Sequence, residues 1–275
     1  MTKKRLLITG ANGRIGKLLQ QALHSDYELR LTDLNECETT YSHDIHTQDI
    51  LQPNGLTELM QNIDCVIHLA GIVDELPDAA KTLQTNILGT LNVLEAAKTA
   101  GVSRFIFASS IHSVGFYPRS QTLTRLEVPR PSSYYGVSKV AGEALVSLYA
   151  DKYGISGICL RINTFKPKPQ DSRELVTWLS ENDAVELFRA AIEAPAEVHF
   201  EIIYGISNNS QKKLSNEGAS FTFNPQDNAE RYLDEISQEV GSVAKHFHGG
   251  PFTERFFAGD LQKTLNHTLG QLKKT

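Results

Sequence analysis

From Arg5 to Ile162 the apolar positions follow two rhythms in turn. Short runs of strand character, Arg5–Thr9, Tyr27–Thr32, Cys65–Leu69, Arg104–Ser109 and Gly157–Ile162, are separated by stretches with helical spacing. Ile15–His24 brings Ile15, Leu18, Leu19 and Leu23 onto one face, and Thr82–Thr99 does the same with Leu83, Ile87, Leu91, Leu94 and Ala97. Gly55–Asn62 reads as a short amphipathic helix and Tyr135–Tyr153 as a longer one. Strand and helix in alternation predict an α/β fold built on a doubly wound parallel sheet, with right-handed crossovers placing helices on both faces. Ligands of such sheets bind beyond the carboxyl ends of the strands. Gly10, Asp33, Ala70-Gly71, Ser109-Ser110 and Asn163-Thr164 all end predicted strands and are expected to gather at one edge.

After Ile162 the texture changes. Lys166-Pro-Lys-Pro169 interrupts the regular pattern, Leu175–Ala194 predicts a helix, His199–Tyr204 predicts one more strand, and Ser207–Ser220 is polar and turn-rich. Residues 1–163 therefore read as a ligand-binding core. Residues 164–275 read as a smaller substrate-covering region, with its helix 175–194 and strand 199–204 interleaved with the last sheet elements.

Composition narrows the function. The 40% hydrophobic and 21% charged residues exclude a disordered chain, and 275 residues leave room for one large domain with a small appendage. The net charge of −5 argues against nucleic acid or an anionic membrane as partner. Apolar stretches such as Phe105–Ala108 fall far short of the roughly 20 residues that span a bilayer. Only Leu6-Leu7-Ile8 separates the basic Lys3-Lys4-Arg5 from Thr9-Gly10, so the apolar core of a signal peptide is missing and a cytoplasmic protein is expected. Three widely spaced cysteines without a CxxC pair indicate neither disulfides nor zinc, and Cys65 and Cys159 sit in apolar runs that suit core burial. His246-Phe-His248 lies in a Gly-rich stretch and reads as a solvated loop, so no metal is expected.

Two segments carry chemistry. Thr9-Gly-Ala-Asn-Gly-Arg-Ile-Gly16 joins the first strand to the first helix, with glycines at 10, 13 and 16. Glycines there permit a tight turn and close approach of backbone N–H groups to a pyrophosphate at the positive end of the helix. Asp33 ends the next strand at the spacing a ribose diol requires, and its charge repels a 2′-phosphate, which favours NAD over NADP. Tyr135 and Lys139 stand one helical turn apart; an ammonium beside a phenol is expected to lower the phenol's pKa and make it a general base. Ser110, ending an earlier strand, offers a hydroxyl to the reacting oxygen.

With these segments the chain resembles the extended short-chain dehydrogenase/reductases, a Rossmann-type family. The matching motifs are TGANGRIG at 9–16, Asp33, Asp44-Ile45, HLAG at 68–71, Asn86 with GTLNVLEAA at 89–97, FASS at 107–110 and YGVSK at 135–139. The resemblance implies a catalytic set of Ser110, Tyr135 and Lys139. For NAD it implies contacts from Gly10, Asn12, Gly13, Arg14, Ile15, Gly16, Asp33, Leu34, Leu69, Ala70, Gly71, Asn86, Tyr135, Lys139 and Ile162, with Asp44 and Ile45 flanking the adenine. Within the family, FASSIHSVGFYPR at 107–119, RINTFKPKPQDSRELVTWLS at 161–180 and FNPQDNAE at 223–230 are similar to the uronate dehydrogenases. That likeness implies oxidation of the C1 hydroxyl of an acidic hexose to a lactone, and a homo-oligomer. It places Val73, Ser110, Ile111, His112, Tyr135, Thr164 and Arg173 around the sugar.

Val73 and Ile111 replace a serine and an asparagine of those relatives and remove polar partners from the sugar pocket. Lys166 and Lys168 make the Arg173 segment more basic, which leaves open a phosphorylated sugar, as in archaeal NAD-dependent glucose-6-phosphate dehydrogenases. A nucleotide-sugar epimerase and a non-catalytic NAD sensor are further readings. Blander roles also stand beside the functional ones. His112 also reads as structural and Arg173 as paired with Asp171 or Glu174, though the functional readings are favoured, whereas the two lysines read rather as a solvated loop and Trp178 rather as core.

Overall fold

The computed structural model describes residues 3–37, 39, 41, 44–73, 78–236 and 240–272. The strands are β1 (Arg5–Thr9), β2 (Glu28–Asp33), β3 (Asp44–Thr47), β4 (Cys65–His68), β5 (Arg104–Ser110), β6 (Leu123–Thr124), β7 (Ser156–Ile162), β8 (Thr164–Phe165), β9 (Trp178–Leu179), β10 (Phe200–Gly205) and β11 (Leu214–Ser215). The helices are α1 (Arg14–Leu23), α2 (Leu56–Leu59), α3 (Ala79–Leu83), α4 (Gly89–Ala100), α5 (Tyr134–Tyr153), α6 (Glu174–Thr177), α7 (Glu181–Ile192), α8 (Pro251–Glu254) and α9 (Leu261–Leu272).

Seven strands form one parallel sheet in the order β10-β7-β5-β4-β1-β2-β3. Side chains alternate across it, as the pleat requires. Leu6, Ile8, Ile106, Ile158 and Leu160 pack with α1 and α7 on one face, while Leu7, Phe105, Phe107 and Cys159 pack with α2, α4 and α5 on the other. The chain leaves β1 toward β2 and β3, then returns to build β4, β5, β7 and β10 on the opposite side. The strand order thus reverses between β1 and β4, the place where such sheets open a crevice. The predicted strand near 199–204 is β10, so the later region completes the sheet begun by the first.

Three expectations change. β3 has no counterpart in the apolar pattern, because all four of its residues are exposed or half-buried. The predicted helix 82–99 begins earlier, at Ala79, and contains a π-helical turn over Gln84–Leu88. The predicted helix 175–194 is two helices. Trp178-Leu179 between them pairs with Thr164-Phe165, and Ser180 caps α7 by accepting the Asp183 N–H. Among the described residues, no helix is long and apolar enough to cross a membrane.

Candidate active site

A cleft of about 790 Å³ opens at the carboxyl ends of the strands, where the sheet order reverses. The glycine loop forms one wall. Gly10 has φ +72°, and a Cβ there would lie 2.6 Å from the Ala70 backbone nitrogen, so only glycine lets the loop and the end of β4 touch. α1 starts at Arg14 with Gly13 as its cap and no capping side chain. Its first-turn N–H groups therefore face an anion without competition.

Asp33 lies at the far end of this wall. Its Oδ2 accepts the Asn12 N–H at 2.9 Å and its Oδ1 the Leu34 N–H at 2.8 Å, which fixes the carboxylate against the loop. Of the cationic side chains lining the cleft, neither Arg14 nor Lys139 bonds Asp33. Arg14 donates to the Phe165 carbonyl at 3.0 Å and sits over the Phe165 ring. Gly10, Asn12, Gly13, Ile15, Gly16, Leu34, Leu69, Ala70, Gly71 and Ile162 also line the cleft. These residues fit a dinucleotide.

Three of the residues expected at the cofactor do not line the cleft. Asp44 and Ile45 start β3, and β3 runs parallel to β2, with Asp44 opposite Arg30 and Thr47 opposite Asp33. Three residues of strand, about 10 Å, separate Asp44 from the cleft, and its carboxylate pairs with Arg30 at 2.5 Å and His46 at 2.6 Å. Gln48, Asp49 and Ile50, just past the strand's end, line the cleft in their stead. The sequence contains Asp-Ile twice, and the second copy is the one beyond a strand terminus. Asn86 does not line the cleft either. From the π-helical turn its Oδ1 accepts the Ile72 N–H at 2.7 Å, and its Nδ2 donates to the Ile72 carbonyl and to Ser138 Oγ, both at 2.9 Å. It braces the Gly71–Val73 wall against α5, a use of a π turn beside a functional cleft.

Ser110, Tyr135 and Lys139 meet across the cleft, all buried. Ser133 caps α5 by accepting the Gly136 N–H at 3.0 Å, which sets Tyr135 in the first turn and Lys139 in the next. The expected lowering of the phenol's pKa is not found. Burial pushes Tyr135 up to about 12, and a hydrogen bond with Ser110 only partly counters it. Lys139 Nζ lies 5.4 Å from the Tyr135 ring centroid, and burial draws the lysine down to about 8. Desolvation therefore outweighs the pair's mutual influence.

One turn below, Glu143 takes a fork of hydrogen bonds from Arg161, at 2.8 and 2.9 Å, and a third from Ser109 Oγ at 2.5 Å. Its Oε1 also accepts Ser113 Oγ at 3.2 Å. This buried carboxylate ties α5 to β5, to β7 and to the 3-10 turn Ile111–Val114 that carries His112.

The residues expected around the sugar divide. Val73, 61% exposed, and His112 line the cleft. His112 Nδ1 is 2.9 Å from Ser132 Oγ, its ring lies 4.2 Å from that of Phe252, and burial, with Arg173 and Arg255 nearby, lowers its pKa to about 3. Ile111 turns the other way, into an apolar cluster with Val114, Tyr117 and Leu123, so it takes no part in the pocket. Thr164 and Arg173 stand behind the cleft's wall rather than in it. Arg173 is buried. Its Nη1 donates to Thr164 and Thr177 at 3.2 Å, its Nη2 lies 3.3 Å from Glu174 and 4.0 Å from Asp171, and its Nε has no hydrogen-bond partner among the described residues. Gly250, at φ +55°, backs directly onto it: a Cβ there would lie 2.6 Å from Arg173 Nε.

Phe252, from the tail, also lines the cleft; the Gly249-Gly-Pro-Phe252 string was its only signal in the sequence. Lys166 pairs with Glu174 at 2.6 Å and Lys168 with Glu235 at 2.9 Å. Trp178 is core, its indole N–H donating to the Lys166 carbonyl. His246 and His248 are not a solvated loop: His248 is fully buried, with Nε2 3.0 Å from the Gln121 carbonyl.

This assembly has known counterparts. A uronate dehydrogenase of Pseudomonas syringae pv. tomato is 34% identical over 93% of this chain and 95% of its own length. An NAD-dependent glucose-6-phosphate dehydrogenase of Haloferax volcanii is 34% identical over 84% of this chain and 96% of its own. The crystal structure of uronate dehydrogenase from Agrobacterium tumefaciens superposes with a TM-score of 0.84 at 34% identity, covering 92% of this chain and 98% of that one. Residues 6–182 match the NAD dependent epimerase/dehydratase family. With its glycine loop, its aspartate at the end of β2 and its Ser-Tyr-Lys cleft, the chain belongs to that family.

Proposed function

We propose that the protein, an NAD-dependent dehydrogenase, oxidises the C1 hydroxyl of a hexuronate to the aldonolactone, with residues 1–163 holding the cofactor and 164–275 covering the sugar. The observation that carries this reading is the meeting of Ser110, Tyr135 and Lys139 in one cleft, with the buried Arg173 guanidinium behind its wall and one nitrogen unpaired. The names of the relatives support it. The glycine loop and the start of α1 would hold the pyrophosphate of NAD, and Asp33 the ribose hydroxyls. NAD, when bound, supplies the hydride acceptor. Tyr135 takes the proton from the C1 hydroxyl, Ser110 hydrogen-bonds the same oxygen, and Lys139 keeps positive charge beside the phenol. His112, neutral at physiological pH, orients a sugar hydroxyl without competing for the carboxylate. For that carboxylate Arg173, bonded to Thr164, supplies positive charge from behind the cleft's wall.

The phosphorylated-sugar reading loses support because Lys166 and Lys168 are already held by Glu174 and Glu235. A dehydratase would need an acidic residue directly after Ser110, where Ile111 and His112 follow. The test is NAD reduction followed at 340 nm (the absorbance of the reduced cofactor) with galacturonate, glucuronate, glucose and glucose 6-phosphate. Turnover confined to the phosphate or to the neutral hexose would overturn the proposal.

Two substitutions sharpen it. Arg173→Ala should cut the ratio of kcat/KM for the uronate to that for its neutral hexose by roughly ten- to a hundredfold, the worth of a hydrogen bond to a charged group. An unchanged ratio would leave Arg173 with a purely structural role. Asp33→Ala should narrow the preference for NAD over NADP by a similar factor, since a charged acceptor and a repelling anion both go. A wild type indifferent to the two cofactors would contradict that.

A further inference from the structure

A second cavity, of about 830 Å³, shares no lining residue with the cleft. Arg119, Lys213, Lys245 and His246 line it, with Ser210, Gln211 and Asn266 among its neutral polar groups. None of its lining residues is an aspartate or glutamate. Of the lining residues Ser210 is tied to a carboxylate, its Oγ donating to Glu230 at 2.5 Å. Arg119 is half-buried, and its Nη1 is enclosed with no hydrogen-bond partner among the described residues. Lys213 and Lys245 are exposed and make no ion pair among those residues, in contrast to Lys166 and Lys168. Burial and the nearby Arg173 both work against the Arg119 charge, and Asp171 offsets them only in part. A guanidinium enclosed in this way, with two unpaired ammonium groups beside it, calls for a counter-charge that the described chain does not supply.

We propose that this cavity is a second binding site, for a small anion carrying two or more negative charges, such as a phosphate ester or a polycarboxylate. The cavity is of the size that takes a metabolite, and its wall offers charge and hydrogen bonds beside the apolar Pro118, Val176 and Leu265. The Arg119 fork would take the anion's oxygens in a plane. Lys213 and Lys245 would close over it from the exposed side. The site is also tied to the cleft. The Arg119 N–H donates to the His246 carbonyl at 2.8 Å, and the same segment continues to Gly250, against Arg173, and to Phe252 in the cleft.

The test is calorimetric titration of the full chain at low ionic strength with saturating NAD, which keeps the glycine loop occupied. Inorganic phosphate and citrate are the two probes. The wild type should bind at least one of them once per chain, and the stronger of the two identifies the phosphate or the polycarboxylate class. Arg119→Ala and the double variant Lys213→Ala/Lys245→Ala should each weaken binding about tenfold or more, the worth of a charge-assisted hydrogen bond. Arg173→Ala, which removes a charge near Arg119 but none that lines the cavity, should weaken binding less than either variant, which separates this site from the sugar pocket. The double variant alters only exposed side chains, so it carries the test if Arg119→Ala fails to fold. No heat with either probe, equal affinity in the variants, or loss in Arg173→Ala alone would overturn the proposal. So would a wild type that binds neither probe but sediments as an oligomer that the variants break, since the cavity would then be a subunit contact.

Discussion

Tyr135→Phe is expected to lower kcat by 10²–10⁴-fold, the usual cost of removing a general acid–base group, while NAD affinity stays within about twofold. The ring is packed between His112 and Phe252, with centroids 5.8 and 6.2 Å away, and phenylalanine keeps that packing. Only the hydroxyl that Ser110 holds is lost. The pH dependence follows from the same burial. A phenol pushed up to about 12 is protonated near neutrality, and its ionised fraction grows as pH rises. Lys139, drawn down to about 8, keeps its ammonium below that pH and loses it above. Wild-type kcat/KM should therefore climb from pH 6 toward 8 and level off beyond, whereas the variant's residual rate should be flat over this range. A variant retaining more than about a tenth of wild-type kcat would mean that another group takes the proton.

Glu143→Gln is expected to be the most damaging substitution for stability outside the apolar core. Arg161 is 1% exposed and donates both of its charge-paired hydrogen bonds to Glu143. Breaking a buried pair at one partner costs about 3–5 kcal/mol, because the remaining charge stays in a dry site. For a chain of this size that is a fall in Tm on the order of 10 °C. The double variant Glu143→Leu/Arg161→Leu should recover part of the loss, since both charges leave together. Thermal melts of wild type, single and double variants decide the matter. A double variant less stable than Glu143→Gln would show that shape, not charge, holds α5 to β5 and β7.

The parallel sheet was legible because its strands are buried on both faces and read as apolar runs. β3 was not, since Asp44–Thr47 lies at the sheet's edge with no buried residue. That omission also misdirected the reading of the adenine end, because without β3 nothing told the first Asp-Ile pair from the second. The break at Ser180 was hidden by Trp178 and Leu179, whose apolarity suits a helix as well as a short strand. Ser110, Tyr135 and Lys139 were legible because each belongs to a local spacing within one element. The surroundings of Arg173 were not. Its partners Glu174 and Asp171 are sequence neighbours, but the glycine packed on it is Gly250, 77 positions away, and no local pattern announces that contact. The phenol's pKa was misjudged for a related reason: spacing puts Lys139 beside Tyr135, but the depth of both depends on the whole fold.

The wall built by Gly250 and Phe252 sets an order of events in making the molecule. The glycine loop, Ser110, Tyr135 and Lys139 all lie before β7, and the sheet is complete at Gly205. Domains tend to form amino end first as a chain is synthesised. The dinucleotide cradle can therefore close while Gly250 and Phe252 are still inside the ribosome. Docking comes last, when the His248 N–H reaches the Tyr117 carbonyl and the Gly249 N–H that of Gly115. A nascent chain ending before His246 would hold cofactor against a phenol still open on the Phe252 side, with Arg173 not yet backed by Gly250. The closed cleft is in this sense the final thing the polypeptide acquires.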